Sequence, residues 1–344
     1  MNVRNIYAVF GLLTLLFSVL LCSACQKPET ERPHEQVTAK AVENPQPDLN
    51  VLCNDLKAEM QNMTAERTTF ALEQMNQNIR LCLPLISLAE KQVLMNLSAQ
   101  MYQQFLTVQR NPEQQTAFDH YALDESQFPT IQQSHFEKLH IRDQYLLRHK
   151  GQAYIDVDDR DPLHVSYRRN ILYLARVFAP YFPAAEQQFI QQLAEQNQQP
   201  AFKNQMILLT AQQLTDRALY WEHYLKQYPN SQFKNDAKLL YQHYQSLLFF
   251  GLADSPVSLQ YEGRLDISAN HLTVIEQLAT LHDTALAQKA QLFLKFIDLN
   301  TEQRNQLLNA NSTVAQQLAQ YLKVPIFNPK NSKQRDCFND AICH

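Results

Sequence analysis

Apolar positions recur every three to four residues along most of this chain, the spacing of an amphipathic helix. Leu52, Leu56, Met60 and Met63 form one stripe, and Leu72, Met75, Ile79 and Cys82 a second. Leu94, Leu97, Met101, Phe105 and Val108 form a third, which stops at Asn111-Pro112. The same spacing predicts helices over 134–149, 163–179, 184–197, 201–228, 232–250, 270–281, 284–299 and 312–323, the last capped by Ser312. Pro129, Pro162, Pro180, Pro183, Pro200, Pro229 and Pro256 fall between these segments, where a missing N–H ends a helix. One stretch alternates instead. Val257, Leu259 and Tyr261, then Gly263, then Leu265 and Ile267 predict a short β-hairpin near 257–267. The expected fold class is all-α, an irregular α-solenoid or helical bundle over residues 51–330.

The first residues follow another pattern. A short polar start with Arg4 precedes an almost wholly apolar run from Ile6 to Leu21, and small residues follow. This is the three-part layout of a secretory signal peptide. The run is short of the roughly 20 residues a spanning helix needs. Leu20-Leu21-Cys22-Ser23-Ala24-Cys25 resembles the lipobox of bacterial lipoproteins. That resemblance implies a signal peptide over 1–24, cleavage before Cys25, and attachment to a membrane through lipid on Cys25. With Gln26 in place of aspartate, it also implies sorting to the outer membrane, facing the periplasm. Cys22 departs from the pattern, where leucine is usual. Residues 25–50 are polar, carry Pro33, Pro45 and Pro47, and read as a flexible tether.

Four cysteines lie beyond Cys25, and an even number in an oxidising compartment points to disulfides. Cys337 and Cys343 would pin the tail, 331–344. Cys53 and Cys82 can pair if 51–62 and 68–82 form a helical hairpin turning near 63–68. One continuous helix would hold them about 43 Å apart, beyond disulfide reach. A crossed pairing that ties the two ends of the domain together is the rival. Metal ligation with His344 is a further reading, although the spacing matches no zinc pattern.

Composition narrows the function classes. The chain has four glycines, Gly11, Gly151, Gly251 and Gly263, too few for phosphate loops or dinucleotide crevices, which need glycine at positive φ. A formal net charge of -4 offers no attraction for nucleic acid. Only 19% of residues are charged, and glutamine and asparagine fill the gap.

Tyr220-Trp221, Tyr224-Leu225, Tyr228-Pro229-Asn230-Ser231, Phe233 and Asp236-Ala237 resemble the helix–turn–helix of tetratricopeptide-like envelope proteins. Those proteins include the helical lipoprotein of the outer-membrane barrel assembly machine. Here Pro229 stops one helix, and Asn230 or Ser231 bonds the free amides of the next. The resemblance implies stacked hairpins that hold an envelope protein partner on a concave face. Arg168, Arg169 and Tyr173, with Trp221 and Tyr224, are the candidate interface, since arginine and tyrosine are interface residues. The same residue types also cover helical cores.

No constellation carries catalysis. Asp156-Val157-Asp158-Asp159-Arg160-Asp161 is dense in carboxylates but has Arg160 and Asp161 where a calcium loop needs a ligand and glycine. It reads as a solvated loop near a helix N-terminus. Glu125-Ser126-Gln127-Phe128 resembles the acid motif of lytic transglycosylases, yet the glycine-rich segment of that family is missing from 129–150. The histidines lack the i, i+4 spacing of a zinc helix. The expectation is a lipid-anchored scaffold or assembly factor that binds a protein and uses no cofactor or metal. The alternative is a peptidoglycan-modifying enzyme or its regulator.

Overall fold

A computed structural model describes residues 49–127, 133–160, 164–331 and 335–344. The leader, Cys25 and the tether lie outside these residues. The described chain is mostly α-helical, with three two-stranded antiparallel pairs of strands.

It opens with α1 (Leu49–Gln61), α2 (Thr69–Cys82) and α3 (Leu88–Phe105). Thr68 caps α2 by accepting the Ala71 N–H, and Ser87 with Glu90 forms a reciprocal capping box on α3. The expected stripes of α1 and α2 face each other, and Leu56, Met60, Leu72 and Ile79 are buried. Their hairpin brings Cys53 and Cys82 into a disulfide with Cα atoms 5.4 Å apart.

Next come α4 (Pro112–Gln127), α5 (Gln133–Phe136) and α6 (Ile141–Arg148). The helix expected over 134–149 is two pieces, because the His140 ring accepts the Arg142 N–H and starts α6 afresh. Phe118, Ala122, Leu139 and Val165 make a small second core here. Arg110 grips the buried Asp143 carboxylate through two nitrogens, at 2.8 Å and 2.5 Å, and its guanidinium lies 3.8 Å from the Phe118 ring centre.

The helix expected over 163–179 is also corrected. Ser166–Arg169 forms strand β2, paired with β1 (Ile155–Asp158), and the α-helix is confined to Leu172–Val177, α7, with a 3-10 turn from Ala179 to Tyr181. Likewise, α9 (Ala211–Gln227) follows α8 (Ala184–Gln198) only after a hairpin of β3 (Phe202–Lys203) and β4 (Met206–Ile207). Asn204 turns this hairpin at φ 55, a left-handed conformation that asparagine tolerates. Thr210 and Gln213 then cap α9.

α10 (Lys234–Phe249) returns against α9 as its principal packing partner. The Ser231 hydroxyl accepts the Phe233 N–H, while Glu186 of α8 accepts from Ser231 Oγ and the Gln232 N–H, each at 3.1 Å. The Phe189 and Phe233 rings stack at 4.4 Å and lock α8 onto this turn.

The β-hairpin expected at 257–267 is one step earlier in the chain. β5 (Gly251–Leu252) pairs with β6 (Ser255–Pro256), and Gly251 at φ 75 is the glycine the hairpin needs. A Cβ there would sit 2.9 Å from Pro256 Cα. Residues 257–267 instead form a loop tied to the Asp266 carboxylate, which accepts from Ser258 Oγ and the N–H groups of Gln260 and Glu262. These side-chain bonds compete with a strand ladder. The alternation fails with it: of residues that a strand would set on one face, Val257, Tyr261 and Ile267 point inward, while Leu259 and Leu265 face solvent.

The rest is α11 (Ala269–Ala279), α12 (Ala285–Ile297), α13 (Thr301–Leu307) and α14 (Val314–Leu322). Thr313, not Ser312, caps α14. Among the described residues no helix is long and apolar enough to cross a membrane. The tail is part of the folded body: Cys337, Ala341 and Cys343 are buried against the main core.

Candidate functional site

A cleft of about 1300 Å³ opens where three structures meet: the β1–β2 hairpin, the β3–β4 hairpin and the C-terminal tail. The tail is fixed there by the Cys337–Cys343 disulfide and by reciprocal 2.9 Å backbone bonds between Asp336 and His344. Asn197 of α8 donates to the carbonyls of Cys337 (2.8 Å) and Asp340 (2.7 Å). Arg169 of β2 reaches the Asp340 carboxylate at 2.6 Å. Burial raises the Asp340 carboxyl, but the Arg169 charge and the hydrogen bonds from His344 and Ala341 outweigh it and hold the group down to about 2.

The apolar floor is aromatic. Phe338 of the tail lies 4.9 Å from Phe202 and 5.5 Å from Phe327, and Phe327 packs 4.2 Å from His243 of α10. Burial pushes the His243 imidazole down to about 4, so this ring is neutral at ordinary pH.

The rim carries both signs of charge in balance. Asp156, Asp158, Asp159, Asp254 and Asp336 face Arg160, Arg168, Lys203, Lys330 and Arg335. Asp156 pairs with Arg168 at 3.6 Å, Asp158 with Arg160, and Asp159 with Lys203 at 3.7 Å. Burial raises the Asp158 carboxyl, but Arg160 and Arg168 together bring it below the usual carboxylate range. Asp156, Asp158 and Asp159 of the acidic cluster thus each have a cation, and Asp156 and Asp158 sit on a strand, not beside a helix N-terminus as expected; Asp161 lies outside the described residues. Among the described residues, no group of three or more His, Cys, Asp or Glu side chains could hold a metal ion. The side chains of Asn204, Gln205, Asp254 and Lys330 bond no other described residue and are open to a ligand.

The structure redistributes the residues expected to form an interface. Arg168 lines the cleft. Arg169 is buried beneath it, donating to Ser98 Oγ as well as Asp340. Tyr173, Trp221 and Tyr224 are wholly buried and touch no solvent, which corrects their reading as partner contacts. Trp221 donates to Gln196 at 2.9 Å, and Tyr224 donates to the Ala185 carbonyl at 3.0 Å. Both fill the space between α8, α9 and α10. Glu125 falls near the end of α4, and its side chain lies outside the described part of the chain.

Sequence reasoning missed Asn197, Phe338 and Asp340. The signal was the tail itself, Asp-Cys-Phe-Asn-Asp-Ala-Ile-Cys-His, with polar groups inside a tight cysteine loop. No protein family, no curated protein and no solved structure matches the chain.

Proposed function

We propose that the chain is a lipoprotein held to the outer membrane through Cys25, and that it binds an envelope protein in the cleft beside its C-terminal knot. The cleft carries this reading: a rim of balanced charge with unpaired amide, carboxylate and ammonium groups around an aromatic floor. Such lining suits a polypeptide bearing both charges and lacks the positive excess that nucleic acid requires. The α9–α10 hairpin with its Tyr-Pro-Asn-Ser turn supports the tetratricopeptide-like reading. The leader, ending Ser23-Ala24-Cys25, supports export and lipidation.

A photo-crosslinking residue in place of Asn204, in intact cells, tests the cleft. One discrete protein adduct is expected, weakened when Lys330→Glu and Asp254→Lys are combined. Glycan fragments as the sole adduct would transfer the site to the peptidoglycan reading. Palmitate labelling tests the anchor, with loss of label in Cys25→Ala as the expected result.

A further inference from the structure

The Cys53–Cys82 bridge closes the end of the domain at which α1 begins. Around it the surface is largely aliphatic, with the half-exposed Lys57–Glu90 pair at its edge. The nine residues from Leu81 to Ala89 carry no charge, and neither does the stretch from Leu49 to Asn54. Val51 is 56% exposed, Leu81 51%, Leu85 53% and Leu88 43%. The disulfide sets Val51, two residues before Cys53, and Leu81, next to Cys82, at the same end of the hairpin. The Leu85 N–H donates to the Cys82 carbonyl at 2.9 Å, which keeps that turn close to the bridge. Exposed aliphatic groups gathered without charge mark an interaction surface.

We propose that this rim rests on the bilayer that holds the Cys25 lipid. The proposal stands on the lipid-anchor reading above. The two dozen residues between Cys25 and Leu49 span at most about 80 Å, and they join the domain beside Val51. This end of the domain is therefore the one the anchored chain enters first. Charged side chains are costly in a bilayer, and residues 49–54 and 81–89 carry none, while Glu90 at their edge is paired with Lys57 at 3.9 Å. The bridge fixes its two halves, so docking orders nothing new. The two most exposed leucines, Leu259 and Leu265, stand in a loop with Glu262 and Asp266, and Arg264 there pairs with Glu276 and Asp298. That loop is a poorer membrane surface.

The test uses the mature lipidated protein reconstituted into phosphatidylcholine vesicles brominated on their acyl chains. Tryptophan emission is compared for Leu85→Trp, Val51→Trp and Leu265→Trp, against the buried Trp221 as a constant background. Vesicle flotation reads the anchor separately. Leu85→Trp and Val51→Trp are expected to lose about half of their added emission, and Leu265→Trp none. Equal quenching at all three positions, or at none, in protein that floats overturns the docking and spares the anchor. A doubled mass in sedimentation, with blue-shifted Leu85→Trp emission in the absence of vesicles, assigns the rim to a second copy and also overturns it. Protein that does not float removes the anchor and this proposal together.

Discussion

Arg169 and Asp340 are 171 residues apart in sequence and joined at 2.6 Å, where the guanidinium also lies 4.9 Å from the Tyr173 ring. The pair ties a strand of the cleft wall to the disulfide loop of the tail. Asp340 has a folded pKa near 2, below the roughly 3.9 of an unfolded aspartate. Its contribution is therefore complete above pH ~4 and lost as pH falls from about 4 towards 2. Asp340→Asn is expected to cost about 2 kcal/mol at neutral pH and to flatten the stability curve in that window. Urea denaturation across the acid range measures both.

His243 acts in a different window. Its ring is held near pKa 4 by burial beside Phe327, while an unfolded histidine titrates near 6.5. The unfolded chain binds the extra proton first, so stability falls as pH drops from about 6.5 towards 4 and changes no further from this group below that. His243→Phe is expected to remove this slope and leave the Asp340 window in place. Equal slopes in the two proteins between pH 6.5 and 4 would refute the assignment.

The sequence foretold part of this. Stripes such as Leu72, Met75 and Ile79 report a helix because its period is fixed locally. The Cys53–Cys82 bridge was one of the pairings the sequence left open, and the α1–α2 hairpin decides for it over the crossed alternative. Positions 163–169 and 201–207 misled because a short strand and one helical turn bear similar apolar residues, and pairing with Ile155–Asp158 or a turn at Asn204 decides between them. Tyr173, Trp221 and Tyr224 were ambiguous for a related reason: a large aromatic with a polar tip suits both an interface and a core that supplies hydrogen-bond partners. Of the cleft, Arg168 and the acidic run stood out in the sequence, but not their meeting in one site. Asn197, Phe202 and Phe338 meet only through tertiary folding.

The two disulfides are expected to differ in what they stabilise. Cys53 and Cys82 are separated by 29 residues and Cys337 and Cys343 by 6. Loop-closure entropy then gives about 3.5 kcal/mol for the first and about 2 kcal/mol for the second. Paired Cys→Ala variants, unfolded in guanidinium, should keep that order. Loss of the tail bridge should also raise hydrogen exchange at Phe338 to Ala341, next to the cleft, and leave α1 and α2 protected.

Trp221 is the only tryptophan in the chain, which makes its burial directly observable. It is enclosed by Phe189 at 5.2 Å and Tyr224 at 5.8 Å, and its indole N–H is bonded to Gln196. Emission from the folded protein should be blue-shifted and resist iodide until the chain unfolds. Trp221→Ala removes the contact of α9 with α8 and orphans Gln196, at an expected cost of about 3–5 kcal/mol. Trp221→Phe keeps most of the apolar volume and loses the bond, so its cost should be smaller, about 1–2 kcal/mol. Strong iodide quenching in the native protein would place this residue at the surface after all and return it to the interface.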